Sequence, residues 1–444
     1  MRFIFMLICA VVTTQVFGQV QAFTLENGFN IRVKEDHRAP VAVSMIWYRV
    51  GSSDEPFGIT GVSHALEHMM FKGTPLHPRG VFSKTIAALG GQENAFTHYD
   101  YTAYFEKIAS NQLATVFELE ADRMEHLLLD ETEFKHEMKV IKEERRLRTD
   151  DNPHALTLER YMAAAHLSAP YQHPVIGWMS DIDQMQVNTV RDWYHRFYTP
   201  SNATLVVVGD VKAQDVYELA KKYFGGIKGR ELISRKYIQE PPILGKKSVE
   251  VTAPAQLPLV FFGYSVPSAA QATTTWEPYA LEILAAALAG GDSARLSQNL
   301  MSKNHIASSF DVHYNLYSQY TTEFMLLGMP SPTHTVKELK AAMLKEIDRL
   351  KKQPLTKEEL HRVKTQLIAQ KTFEKDSLFG QAMEIGLVET VGLGYNVAEK
   401  YLDAIQRITP HQLQEVAQRY FQVNRETEAL LIPKRSLANT QGVA

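Results

Sequence analysis

An internal echo constrains the fold of this chain more than any other feature. "VAVSMIWYRVGS", beginning at Val41, and "PLVFFGYSVPS", beginning at Pro258, are both apolar strand-like runs ending in a polar turn. A helix follows each, "SHALEHMMFKGT" in the first copy and "PYALEILAAALAGG" in the second. Farther on, "YTAYFEKIASNQLATVFELEADRM" is answered by "TTEFMLLGMPSPTHTVKELKAAMLKEI", each a strand, a turn and a long helix. Two α+β units of like topology are the simplest account of this pattern. The 444 residues exceed one compact core, so two units of roughly 200 residues each are expected. The expected fold class is α+β: two homologous α/β-sandwich domains, each a mostly antiparallel sheet with helices packed on it.

Boundaries follow from composition. Residues 226–248 are rich in charge, Gly and Pro and carry little periodicity. The reading is an N-terminal domain over 19–228, a linker over 229–248 and a C-terminal homologous domain over 249–444. The N-terminus has Arg2, an apolar run from Phe3 to about Val12, and then small residues in the patterns Val16-x-Gly18 and Val20-x-Ala22. That is the shape of a secretory signal peptide, residues 1–18, with cleavage after Gly18 or Ala22. The apolar run is short of the ~20 residues a membrane span needs, so no stable span is expected after cleavage. Cys9, the single cysteine, lies in this run. The mature chain is then free of thiols, and any metal site in it must use His and carboxylates. A net charge of −3 gives no reason to expect a nucleic-acid partner.

The chemistry concentrates at "HALEH". His64 and His68 are four apart and stack on one helical face, where two imidazoles can share a metal ion. Glu67 lies beside them, placed to act as a base on an activated water. A third ligand must come from another element. The acidic helix "TEFKHEMKVIKEERRLRTD" offers Glu137 and Glu144, seven apart on one face, with Glu143 about 100° around. Glu144 as ligand with Glu137 orienting a histidine is one reading. A solvated face with pairs such as Glu144–Arg148 is the other. The second copy weighs on the choice: aligning Ala65-Leu66-Glu67 with Ala280-Leu281-Glu282 puts Tyr279 at His64 and Ile283 at His68. The helix is kept without the histidines, which therefore serve something other than the fold.

HxxEH, with the glutamate before the second histidine, is the inverted zincin motif. Together with "GGQENAFTHYDYTAYF", "EMKVIKEE", "HPVIGW" and "YTPSNATLVVVGDV" it makes the chain resemble the pitrilysin/insulysin family. The resemblance is to the short-chain group that includes the mitochondrial processing peptidase and bacterial periplasmic zinc proteases, and it covers nearly all the mature chain. It implies one Zn²⁺ per chain held by His64, His68 and Glu144, with Glu67 as base and Glu137 behind the ligands. Glu144 follows His68 by 76 positions, which suits the family's spacing. The resemblance also implies a substrate-binding edge strand, here with Asn94 and Ala95, to which an extended peptide adds.

The chain departs from the family at one place. The family's active sites usually include an Arg and a Tyr from the second repeat, and here Met301 and Ser308 stand at those positions. Neither can donate as those residues do. A homologous partner subunit supplying both is therefore expected, or else a homodimer using other donors. The function implied is a secreted, periplasmic zinc endopeptidase of a Gram-negative bacterium. The alternative is a catalytically weak or inactive peptide-binding subunit of a heterodimer.

Overall fold

The computed structural model describes residues 18–434 apart from 232–234 and 236–237. The expected signal segment therefore lies almost wholly outside the described residues. The first half contains strands β1 (Gln21–Thr24), β2 (Asn30–Glu35), β3 (Val41–Tyr48), β4 (Gln92–Thr97), β5 (Thr102–Ala109) and β6 (Ala203–Gly209). Its helices are α1 (Val62–Met69), α2 (Val81–Ala88), α3 (Leu113–His126), α4 (Glu131–Arg145), α5 (Pro153–Ala165), α6 (Met179–Gln184), α7 (Val187–Phe197) and α8 (Ala213–Phe224). The second half contains β7 (Lys247–Ala253), β8 (Leu259–Val266), β9 (Ala307–Tyr314), β10 (Thr322–Pro330) and β11 (Glu426–Pro433). Its helices are α9 (Glu277–Ala289), α10 (Val336–Lys352), α11 (Lys357–Glu374), α12 (Leu378–Thr390), α13 (Asn396–Arg407) and α14 (Pro410–Tyr420).

The sheets run β1-β2-β6-β3-β5-β4 and β7-β11-β8-β10-β9. Matching β2 to β7, β6 to β11, β3 to β8, β5 to β10 and β4 to β9 superposes the two orders, with β1 as an added edge hairpin strand. One pair in each sheet is parallel, β2–β6 and β7–β11, and the remaining pairs are antiparallel. The α+β class with two sheets, each carrying packed helices, is as the sequence predicts.

The helical cover on the outer faces is exchanged between the halves. β3 sends Ala42, Ile46 and Tyr48 into the core under α1, α3 and α8, and sends Val43, Met45 and Trp47 to the opposite face. That opposite face is closed by Ala382 and Ile385 of α12, a helix of the second half. Reciprocally, Leu259 and Phe261 of β8 are covered by Tyr161 and Ala165 of α5, a helix of the first half. Each half therefore supplies the lid for the other half's sheet. Both lids fit through a glycine. A Cβ on Gly386 of α12 would lie 2.0 Å from the Trp47 ring, and a Cβ on Gly263 of β8 would lie 2.5 Å from the Tyr161 hydroxyl.

The duplication extends to charge. Arg145 at the end of α4 pairs with Glu159 of α5 at 2.8 Å, and Lys371 of α11 pairs with Glu384 of α12 at 3.0 Å. Glu159 and Glu384 each stand seven residues after their N-caps, Asn152 and Ser377. Counted the same way from Asp130 and Thr356, Glu144 corresponds to Gln370. All three prospective ligand positions are thus replaced in the second copy, by Tyr279, Ile283 and Gln370.

Candidate metal centre

The helix α1 is short, and its start is fixed from below. Gly61, its N-cap, has φ 88°, and a Cβ there would lie 2.4 Å from the Ile176 carbonyl oxygen. The Glu55 carboxylate accepts from the Gly61 and Ser63 amides at 2.7 and 2.8 Å, placing a carboxylate at the helix N-terminus. Leu66 and Met69 point into the core. The other face of α1 turns His64, Glu67 and His68 into a cleft of about 770 Å³.

Glu144 arrives from α4. Its oxygens lie 3.8 Å from His64 Nε2 and 3.3 Å from His68 Nε2. One potential donor atom from each of His64, His68 and Glu144 falls within 4.8 Å of the others, and among the described residues this is the only His, Cys, Asp and Glu group of that kind. Two imidazole nitrogens and one carboxylate oxygen form the donor set of a catalytic zinc site with an open position. The donor chemistry therefore suits that ion. Behind the histidines, Glu137 Oε2 lies 3.2 Å from His68 Nδ1, and its other oxygen accepts from the Lys72 ammonium. This is the arrangement by which a carboxylate fixes the tautomer of a metal-binding histidine.

The site's electrostatics follow from burial and these partners. Burial pushes His64 below the ordinary imidazole range, and the neighbouring His68 adds to the effect; a neutral ring presents a lone pair. For His68 burial is outweighed by Glu144 and Glu137, and its pKa rises. The hydrogen bond from His68 holds the Glu144 carboxyl low, against burial. Burial raises Glu67, only partly offset by the Thr97 hydroxyl that donates to its Oε2.

The structure gathers His64, Glu67, His68, Glu137 and Glu144 in one place, with Asn94 and Ala95 on the cleft wall. These last two lie on β4, the terminal strand of its sheet. The Ala95 amide is taken up by the Asn94 side-chain oxygen at 2.8 Å. Glu144 faces the histidines and also pairs with Arg148 at 2.6 Å. Glu143 points away, paired with Arg146. Met301 and Ser308 do not line the cleft. Met301 is partly exposed, and the Ser308 hydroxyl donates to backbone carbonyls of Met329 and Pro330. Arg295 forms a two-pronged pair with Glu359 in the first turn of α11. Sequence reasoning missed Thr97, Lys72 and Glu55. Thr97 and Glu55 act on α1 from other segments, with no spacing rule linking them to it, and Lys72, four residues after His68, meets Glu137 of α4.

A paired α+β scaffold in which an inverted HxxEH helix supplies two histidines and a second helix the glutamate of a His–His–Glu group defines a protease-like class. Comparison with known proteins bears this out. The family description "Insulinase (Peptidase family M16)" matches residues 31–177, and "Peptidase M16 inactive domain" matches residues 184–367. The zinc protease PqqE of Helicobacter pylori is 33% identical over 348 residues, spanning 78% of this chain and 77% of that protein. A crystal structure of a protease from Helicobacter pylori superposes with a TM-score of 0.89 at 30% identity, over 94% of this chain and all of that one. The periplasmic protease PqqL of Escherichia coli shares the fold at a TM-score of 0.78 and 18% identity; the match takes in 94% of this chain but 48% of that one. This chain belongs to the insulinase family, peptidase family M16.

Proposed function

We propose that this chain is a zinc endopeptidase that cleaves peptides or unfolded segments bound as an added strand on β4. The observation that carries the proposal is the convergence of His64, His68 and Glu144 beside Glu67 and an open sheet edge. His64, His68 and Glu144 would hold the ion. Zinc, when bound, polarises the scissile carbonyl and acidifies a water.

The chain's own residues do the rest. Glu67 accepts the proton of the attacking water on one carboxylate oxygen and delivers it to the leaving amine. Thr97 holds the other oxygen and so fixes the carboxylate's orientation. Burial favours the form of Glu67 that carries the proton between these two transfers. The peptide aligns along β4, where its carbonyl replaces the Asn94 side chain on the Ala95 amide.

The working division is a first unit over 19–228, a connector over 229–248 and a second unit over 249–444, with β7 already begun at Lys247. Processing after Gly18 leaves β1 whole, whereas processing after Ala22 removes half of it. The signal-like start supports export to the periplasm. Among the described residues no helix is long and apolar enough to cross a membrane. Met301 and Ser308 favour a site completed by a second, homologous chain, and the half-length match to PqqL supports such pairing.

The test is Glu67→Gln. It should retain one zinc per chain and lose cleavage of an unstructured peptide. Full cleavage by this variant would remove Glu67 as the base.

A further inference from the structure

Three arginines follow the ligand glutamate in "ERRLR", and the fold sends them to three destinations. Arg145 is buried against Glu159 and the Gly177 carbonyl. Arg146 lies on the surface with Glu143 and Asp151. Arg148 turns into the cleft, on a different wall from β4. A π-helical turn over Arg146–Asp150 follows α4 directly, and such turns concentrate at functional sites.

The charges lining the cleft are unequal in their commitments. The Lys72 ammonium is bonded to Glu137 and is 14% exposed. The Arg148 side chain is 76% exposed, and among the described residues its one ion-pair partner is Glu144, through Nη1. A carboxylate that ligates a divalent ion shares its charge with that ion, so Arg148 then carries a positive charge with no full counterpart. Among the described residues its Nε and Nη2 have no partner, and they can donate in the planar fork that carboxylates accept.

We propose that Arg148 is a specificity-determining residue that docks a carboxylate side chain, Asp or Glu, of the peptide on β4. The inference rests on the reading of the cleft as a peptide site. It goes beyond that reading by naming acidic peptides as the favoured class.

The test uses full-length protein carrying Glu67→Gln, so that binding is read without cleavage. A fluorescent unstructured ten-residue peptide is made with Asp at each position in turn, alongside its Asn counterparts. Zinc content and peptide Kd are measured with and without Arg148→Gln, and with Arg148→Lys. At one position Asp should bind more tightly than Asn, and Arg148→Gln should erase that preference by about tenfold. Zinc content should not change, and Arg148→Lys should keep part of the preference. An equal loss for Asp and Asn peptides with reduced zinc would show that Arg148 only positions Glu144, and would overturn the proposal. So would an unchanged Asp preference in Arg148→Gln. Failure of every peptide to bind, with Arg148 intact, would overturn the peptide-site reading and this inference together.

Discussion

The Thr97 hydroxyl donates to Glu67 Oε2 at 2.5 Å, tying the last residue of β4 to the acidic residue of the HxxEH helix. Thr97, which also meets Glu67 through its backbone, therefore joins the strand proposed to align the peptide to the group proposed to move the proton. It also counters the burial that raises Glu67.

Thr97→Val removes the bond and keeps the shape. The carboxylate keeps only the backbone contact at residue 97, is held less firmly, and its pKa rises further. We expect kcat to fall by about tenfold, with zinc content unchanged and KM moved by less than about twofold. Steady-state kinetics with metal analysis checks this, and wild-type kcat would show that the bond has no part in turnover.

The exchanged lids make a prediction about stability. Gly386→Ala places a methyl group against the Trp47 ring, which is itself buried. The ring or α12 must shift, at a cost of about 1–3 kcal/mol. Urea unfolding measures it. A change below about 0.5 kcal/mol would mean that α12 does not rest on Trp47.

His166 sets a dependence on pH. Burial pushes its imidazole down to about 4; the Glu240 carboxylate acts upward and the Lys247 ammonium downward. An unfolded imidazole titrates near 6.5. Above that pH both states are neutral at this residue. As pH falls from about 6.5 towards 4, the unfolded chain takes the proton first and stability is lost, by about 1–3 kcal/mol. His166→Gln should flatten the difference between unfolding free energies at pH 7 and pH 4.5. An undiminished difference would assign the effect to other groups.

Much of the site was legible because helical geometry is local. Four residues separate His64 from His68 and seven separate Glu137 from Glu144, so each pair shares a face without knowledge of the fold. The like topology of the halves was legible from their matched order of runs. What could not be read were partners across elements. Thr97 and Lys72 reach Glu67 and Glu137 from outside those residues' helices, and periodicity carries no information about such meetings. The apolar run of β3 implied burial, but not that the cover would come from α12, more than three hundred residues on. Gly386 and Gly263 look like helix- and strand-weakening residues until the ring and hydroxyl facing them are seen.

The ligand set is tested most directly by comparing two neighbouring glutamates. Zinc content and cleavage of an unstructured peptide are measured for the wild type, Glu144→Gln and Glu143→Gln, with the family partner supplied if one is needed for turnover. Glu144 faces both histidines, and Glu143 pairs with Arg146 at the surface. The wild type and Glu143→Gln should each hold one zinc per chain and cleave, whereas Glu144→Gln should lose both properties. Full zinc and full cleavage in Glu144→Gln would contradict the metal centre described.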